Sequence, residues 1–255
     1  MIIGVIPARF ASTRLIGKPL ANIGGKPMIQ HTYENASRSK LIEKLILAVD
    51  DTKVASVARG FGADVIETPK EIASGSDRIA YVAKIYKEAD IVVNIQGDEP
   101  FIQPEMIDQA IEPLLFDKTI EVATLIKKIY SIKELKSPDI VKVVFDYNNY
   151  ALYFSRSPIP FTRNAISETA ALEITDYYKH LGLYVFRRKA LLKFTNLKQT
   201  DLEKTEMLEQ LRMLENGIKI KVVETEYESI SVDTQEDLKR ARTYYKWLQK
   251  REQEK

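Results

Sequence analysis

An α/β fold with a doubly wound, mostly parallel (mixed) sheet and a smaller antiparallel subdomain is the expectation from this sequence. Two patterns carry it. Short apolar runs rich in β-branched residues recur at 2–6, 45–49, 91–95 and 122–127, with a shorter strand at 64–67, and unbroken apolar runs suit strands buried on both faces. Stretches with helical spacing of apolar residues lie between them, and strands that alternate with helices build parallel sheets.

Each element has its own signal. Ile2-Ile3-Gly4-Val5-Ile6 should end at Pro7, which has no N–H to give a ladder. Gly24-Gly25-Lys26-Pro27 turns into a helix over 28–38, with proline tolerated in the first turn. After the strand at 45–49, Asp51 caps a helix that runs to 59, and Gly60 and Gly62 end it. The strand at 64–67 leads to a loop and a helix over 76–87, capped by Ser76. Gln96-Gly97-Asp98-Glu99-Pro100 closes the strand at 91–95, and Pro104 opens a helix to 116.

The rhythm changes from residue 141. The runs 141–145 and 150–155 flank Asn148-Asn149, a hairpin signal, and 181–186 reads as a further strand. Residues 201–214 read as one helix, 218–223 as a strand and 234–250 as a charged terminal helix. No Gly/Ser-rich linker interrupts the chain. The expected organisation is one domain over 1–255, with the antiparallel subdomain around 141–190.

Composition narrows the chemistry. There is no cysteine, so disulfides and thiolate chemistry are excluded, and two histidines do not make a polyhistidine metal site. A net charge of +2 is not the footprint of a nucleic-acid binder. No apolar run approaches the ~20 residues that span a bilayer, and nothing at the start resembles an export signal, so a cytoplasmic protein without membrane insertion is expected. His31 falls inside a helix without a partner signal and reads as packing.

The loop after the first strand is cationic. It carries Arg9, Arg14 and Lys18 with the hydroxyls of Ser12 and Thr13, and no acidic residue. Open α/β sheets bind ligands beyond the carboxyl ends of their strands, and guanidinium forks with an ammonium suit a polyanion there. Asp98 lies at another such strand end. It falls too far before Pro104 to cap the next helix, and it is the natural ligand for a Mg²⁺ ion accompanying a triphosphate. In Ser231-Val232-Asp233-Thr234-Gln235-Glu236-Asp237-Leu238, Thr234 and Asp237 form an imperfect capping box that leaves Asp233 outside it. Ala73-Ser74-Gly75-Ser76-Asp77-Arg78 opens a helix whose exposed amides suit an anion or a base edge.

These motifs together resemble the sugar nucleotidyltransferases, and most closely the 3-deoxy-manno-octulosonate (Kdo) cytidylyltransferases. The matches are Ala8-Arg9-x-x-Ser12-x-Arg14-Leu15-x-Gly17-Lys18-Pro19-Leu20, the Ser74-Gly75-Ser76-Asp77-Arg78 loop, Gly97-Asp98-Glu99-Pro100, Tyr153-Phe154-Ser155-Arg156-x-x-Ile159-Pro160, His180-x-Gly182-x-Tyr184, Glu206-x-Leu208-Glu209-Gln210-Leu211-Arg212 and Val232-Asp233-Thr234-x-Glu236-Asp237-Leu238. The chain departs from the family pattern at Ile16 (usually proline), Ser76 (threonine) and Ser231 (glycine).

The resemblance implies a nucleotide-diphospho-sugar transferase fold, a homodimer, Mg²⁺ as cofactor, and CTP and Kdo as substrates. It implies that Arg9, Ser12, Arg14 and Lys18 hold the triphosphate and that Ala73, Ser74, Arg78 and Gln96 contact the nucleotide. It places the metal on Asp98 and Asp233. It further implies that Gln96, Arg156, His180, Tyr184, Glu209 and Gln210 line the sugar pocket. Periodicity alone puts Met207, Leu208, Leu211 and Met213 on the buried stripe of one helix, with Glu209 and Gln210 off it. A sialic acid or 8-amino-Kdo cytidylyltransferase shares this chemistry, though sialic enzymes generally carry a first loop richer in Gly and Lys. A dinucleotide enzyme is disfavoured by the lack of G-x-G-x-x-G. A non-catalytic nucleotide-binding regulator is disfavoured by the presence of both aspartates.

Overall fold

The computed structural model describes residues 1–11 and 15–253. They form two compact units, residues 1–108 with 228–255 and residues 109–227.

In the first unit the chain runs β1 (Ile2–Ala8), a single 3-10 turn (Lys18–Leu20), the short strands β2 (Asn22–Ile23) and β3 (Lys26–Pro27), α1 (Met28–Ala36), β4 (Lys44–Val49), α2 (Thr52–Gly60), β5 (Asp64–Glu67), α3 (Gly75–Ile85), β6 (Ile91–Asn94) and α4 (Pro104–Phe116), inside which the division falls. β1 lies between β4 and β6, β5 pairs with β4, and all four run parallel. Their buried residues are almost wholly aliphatic, as two-sided burial demands. A parallel set places every carboxyl end on one edge, so the segments after Ala8, Val49, Glu67 and Asn94 emerge together.

The second unit holds β7 (Val122–Lys128), α5 (Ile132–Lys136), β8 (Lys142–Phe145), β9 (Ala151–Ser155), α6 (Glu168–Ile174), β10 (Tyr178–Arg187), α7 (Arg188–Thr195), α8 (Asp201–Glu206), α9 (Gln210–Glu215) and β11 (Ile220–Glu224). β11 runs parallel to β7, whereas β10 is antiparallel to β7 and β8, and β8 and β9 form the expected hairpin. The chain then returns to the first unit and ends in α10 (Gln235–Gln253). Among the described residues no helix is long and apolar enough to cross a membrane.

Four expectations need correction. β1 does not stop before Pro7: it continues to Ala8, with Pro7 opposite Ala48 of β4. The missing N–H is harmless because the ladder to β6 has already ended at Val5 and Asn94. The cap of α3 is Ser74, whose backbone is extended and whose Oγ accepts the N–H of Asp77, while Ser76 lies inside the helix. The single helix expected over 201–214 is two helices, broken where Met207 takes a left-handed backbone (φ 53°). Met207 is accordingly 76% exposed instead of core, and Gln210 is buried in the first turn of α9. Helices α5, α6 and α7 lie in stretches that the sequence reading left without an element. His31 packs as expected, buried with its Nε2 2.7 Å from the Ile23 carbonyl.

Candidate active site

The ends of β1 and β6, the 3-10 turn, the start of α3 and the segment before α10 meet at one cleft of about 410 Å³. Arg9, Lys18, Gly75, Arg78, Gln96, Asp98 and Asp233 are among its lining residues. Its closeness depends on Gly97: a Cβ there would lie 2.8 Å from the backbone oxygen of Pro7, so only glycine lets the β1 and β6 ends approach. Two side chains of α1 fix the loop that carries Asp98, Thr32 donating to the Gly97 carbonyl (3.2 Å) and Asn35 to that of Pro100 (2.7 Å).

Asp233 arrives from the far end of the chain. The Val232 N–H donates to the Asp98 carbonyl at 2.9 Å, which lays the 230–233 segment beside the β6 exit. Val232 is itself buried with Leu15, Ile23, Met28, Phe101, Leu238 and Ala241. Asp237 then caps α10: its carboxylate accepts from the Thr234 N–H and hydroxyl, and the Thr234 Oγ1 accepts from the Asp237 N–H. Thr234 and Asp237 thus cap the helix start reciprocally, just beyond the carboxylate of Asp233.

That carboxylate meets Lys18. The 3-10 turn beginning at Lys18 follows Gly17, whose φ of 66° suits glycine. The Lys18 ammonium donates to Asp98 Oδ2 at 2.6 Å and to Asp233 Oδ1 at 2.8 Å. Burial alone would lower the pKa of this lysine, but Asp98 and Asp233 outweigh it, and the net shift is upward. The next residue, Glu99, turns inward instead. Burial, reinforced by Asp98, pushes its pKa up to about 7 against a hydrogen bond from Ser229 (3.0 Å).

Two carboxylates converging on one cation fit a Mg²⁺ site, which takes one or two protein carboxylates and completes its shell with phosphate oxygens and water. Among the described residues no group of three or more His, Cys, Asp and Glu could hold a metal.

A second ion pair ties two walls of the cleft together. Arg78 is fully buried, and its Nη2 donates to Asp50 Oδ2 at 3.1 Å while Nη1 donates to Thr68 Oγ1. The other Asp50 oxygen accepts the Phe10 N–H at 3.0 Å. Asp50 therefore clasps the β1 loop and α3 at once, and Arg9 reaches the Ile72 carbonyl ahead of Ala73 and Ser74. The Nε of Arg78 is buried without a partner among the described residues. Sequence reasoning missed Asp50, although it sits at the end of β4 as Asp98 sits beyond β6. Ser12, Thr13 and Arg14 lie outside the described residues.

The expected sugar residues other than Gln96 belong to the second unit. β10 carries a bulge between Leu181 and Tyr184, at Gly182 and Leu183. Thr124 pins it, donating to the Leu183 carbonyl at 2.7 Å with His180 Nε2 2.9 Å away. Such bulges re-aim side chains. Here the His180 ring meets Phe154 and Tyr184, both at 5.2 Å between centroids. Burial drives the His180 pKa down to about 3, so the ring is neutral at pH 7. The Tyr184 hydroxyl is buried without a partner among the described residues, and its pKa is raised well above the usual value by burial and then by Glu209. Arg156 spends its donors on backbone: Nε to Glu206 (2.7 Å), Nη1 to Pro138 (2.9 Å) and Nη2 to Met207 (3.4 Å).

The sequence model of the family described as cytidylyltransferase matches residues 3–220. The 3-deoxy-manno-octulosonate cytidylyltransferase of Trichlorobacter lovleyi is 49% identical over 245 residues, 94% of this chain and 97% of that protein. That of Pelobacter propionicus is 50% identical over 252 residues, 97% and 98% of the two chains. The solved structure of CMP:2-keto-3-deoxy-manno-octonic acid synthetase complexed with CTP superposes with a TM-score of 0.89 at 40% identity, over 95% of this chain and 97% of that one. The chain belongs to the cytidylyltransferase family, among its 3-deoxy-manno-octulosonate cytidylyltransferases.

Proposed function

We propose that this enzyme transfers CMP from CTP to the anomeric hydroxyl of Kdo, releasing pyrophosphate and giving CMP-Kdo for lipopolysaccharide synthesis. The observation that carries the reading is the convergence of Lys18, Asp98 and Asp233 in a cleft whose wall includes Arg9, Arg78 and Gln96. The anomeric oxygen bonds to the α-phosphorus as the bond to the β-phosphate bridging oxygen breaks. The electron pair leaves on pyrophosphate, and the hydroxyl proton passes to solvent, since no side chain is assigned as the base.

Charge stabilisation and alignment are the protein's contribution. Arg9 and Lys18 oppose the charge that grows on the departing pyrophosphate. Asp98 and Asp233 would hold Mg²⁺, which supplies Lewis-acid neutralisation of the reacting phosphate. Asp50 and Arg78 hold the phosphate loop and the α3 start in register, and Gln96 lines the same cleft. The neutral His180 ring and the Tyr184 hydroxyl present hydrogen-bonding groups without charge, and these suit the hydroxyls of the sugar acid.

The working form is a cytoplasmic homodimer. Exposed apolar side chains on the second unit, Phe161 at 88% and Ile166 at 97%, support self-association.

Pyrophosphate release from CTP, measured with a panel of 3-deoxy sugar acids, tests the reading. Kdo should be turned over with the highest kcat/KM. Faster turnover of 8-amino-Kdo or of sialic acid would reassign the acceptor, and no release with any acid would remove the enzymatic reading.

A further inference from the structure

We propose that Lys18 is an exchangeable cation: its ammonium holds the metal position between Asp98 and Asp233 until the metal-nucleotide arrives, and then moves to the phosphates. The inference rests on the reading of that cleft as a Mg·CTP site and concerns how the site is filled.

Three observations support it. The two carboxylates come from positions 98 and 233, and one ammonium bridges them at 2.6 and 2.8 Å. Without a cation between them they would repel each other. The backbone of Lys18 is fixed, its N–H donating to Leu15 at 3.1 Å and its neighbour Pro19 buried, so an exchange needs only side-chain rotation. The four-carbon stem of lysine gives its point charge a wide reach. The same cleft is lined by the cation Arg9 and by Gly75 at the start of α3, and a positive charge and a helix start both suit a polyanion.

The charges then follow a simple sequence. Two carboxylates and one ammonium leave one negative charge. A divalent ion that displaces the ammonium neutralises the pair and repels the lysine. The freed ammonium finds a new counter-charge only if phosphate is present. A bare metal ion would therefore strand the lysine, whereas a metal-triphosphate provides for it. Lys18 in this role couples metal entry to nucleotide entry.

The direct test is a titration with Mn²⁺ alone, without nucleotide or sugar, followed by electron paramagnetic resonance of the free ion. The unaltered enzyme should bind bare Mn²⁺ weakly. Lys18→Met should bind it about ten- to a hundredfold more tightly, since a charge-assisted contact no longer competes, and Lys18→Met with Asp233→Asn should lose that gain. Equal or weaker binding by Lys18→Met would overturn the proposal.

A measurement on the unaltered chain guards against a misfolded variant. The ¹⁵N resonance of the Lys18 ammonium, assigned by its absence in Lys18→Arg, should be unchanged by Mg²⁺ alone at millimolar concentration and should shift with Mg·CTP. A resonance indifferent to Mg·CTP would also overturn it. Neither readout involves turnover, so their failure is separable from failure of the CTP and Kdo assay.

Discussion

In the first unit the groups at the strand ends are charged and answer one another: Lys18 lies between two aspartates, and Arg78 lies against Asp50. In the second unit burial leaves His180 an uncharged imidazole and Tyr184 a protonated phenol among aromatic rings, with Glu209 the charge that acts on Tyr184. On the proposed reading, the contrast follows what each region would meet. A triphosphate and its metal need charge held ready, and buried charge persists only when it is paired. Sugar hydroxyls need donors and acceptors without a net field, so burial can remove the charge altogether.

The largest effect should come from breaking the compensation in the first unit. Asp50→Ala leaves the buried Arg78 guanidinium without its counter-charge and the Phe10 N–H without its acceptor. Removing one partner of a buried pair costs about 3–5 kcal/mol, so urea unfolding should show a loss of that size. A loss near zero would mean that the pair is not a structural tie.

The uncharged imidazole should respond to acid. His180 titrates near 6.5 when unfolded and at about 3 in the fold. Between those values the unfolded chain binds a proton that the native state refuses. This contribution to stability is therefore complete above pH 6.5 and is lost as pH falls toward 3. At pH 5 the loss should be about 2 kcal/mol, from ~1.4 kcal/mol per pH unit. Denaturant melts of the unaltered protein and of His180→Phe, compared at pH 7 and pH 5, isolate it. An identical pH dependence in the two proteins would place His180 in a wetter setting.

How much could be read from the sequence also divides along this line. β4 and β6 were legible because strands buried on both faces read as continuous apolar runs. Once those strands are parallel, the carboxyl-end rule brings Asp98 to the cleft from local pattern alone, and the Thr234–Asp237 box leaves Asp233 outside the helix cap. Asp50 was missed because its role depends on the distant Arg78 and Phe10.

The second unit hid more. The break at Met207 has no glycine to announce it. It is held by tertiary bonds, with Glu206 accepting from the Ser155 hydroxyl at 2.6 Å and the Arg156 N–H at 2.9 Å. The bulge that aims His180 and Tyr184 likewise depends on Thr124 in another strand, which no local signal reveals.

The central claim is that residues 98 and 233 act as one site, and a double-mutant cycle on turnover tests it most directly. Asp98→Asn and Asp233→Asn should each lower kcat/KM for CTP by at least about a hundredfold at saturating Mg²⁺, with circular dichroism unchanged. The double variant should then be little worse than either single one, because residues that act as a unit lose their effect together. Losses that multiply, or an Asp233→Asn enzyme near normal activity, would contradict the account and leave Asp233 as part of a helix start.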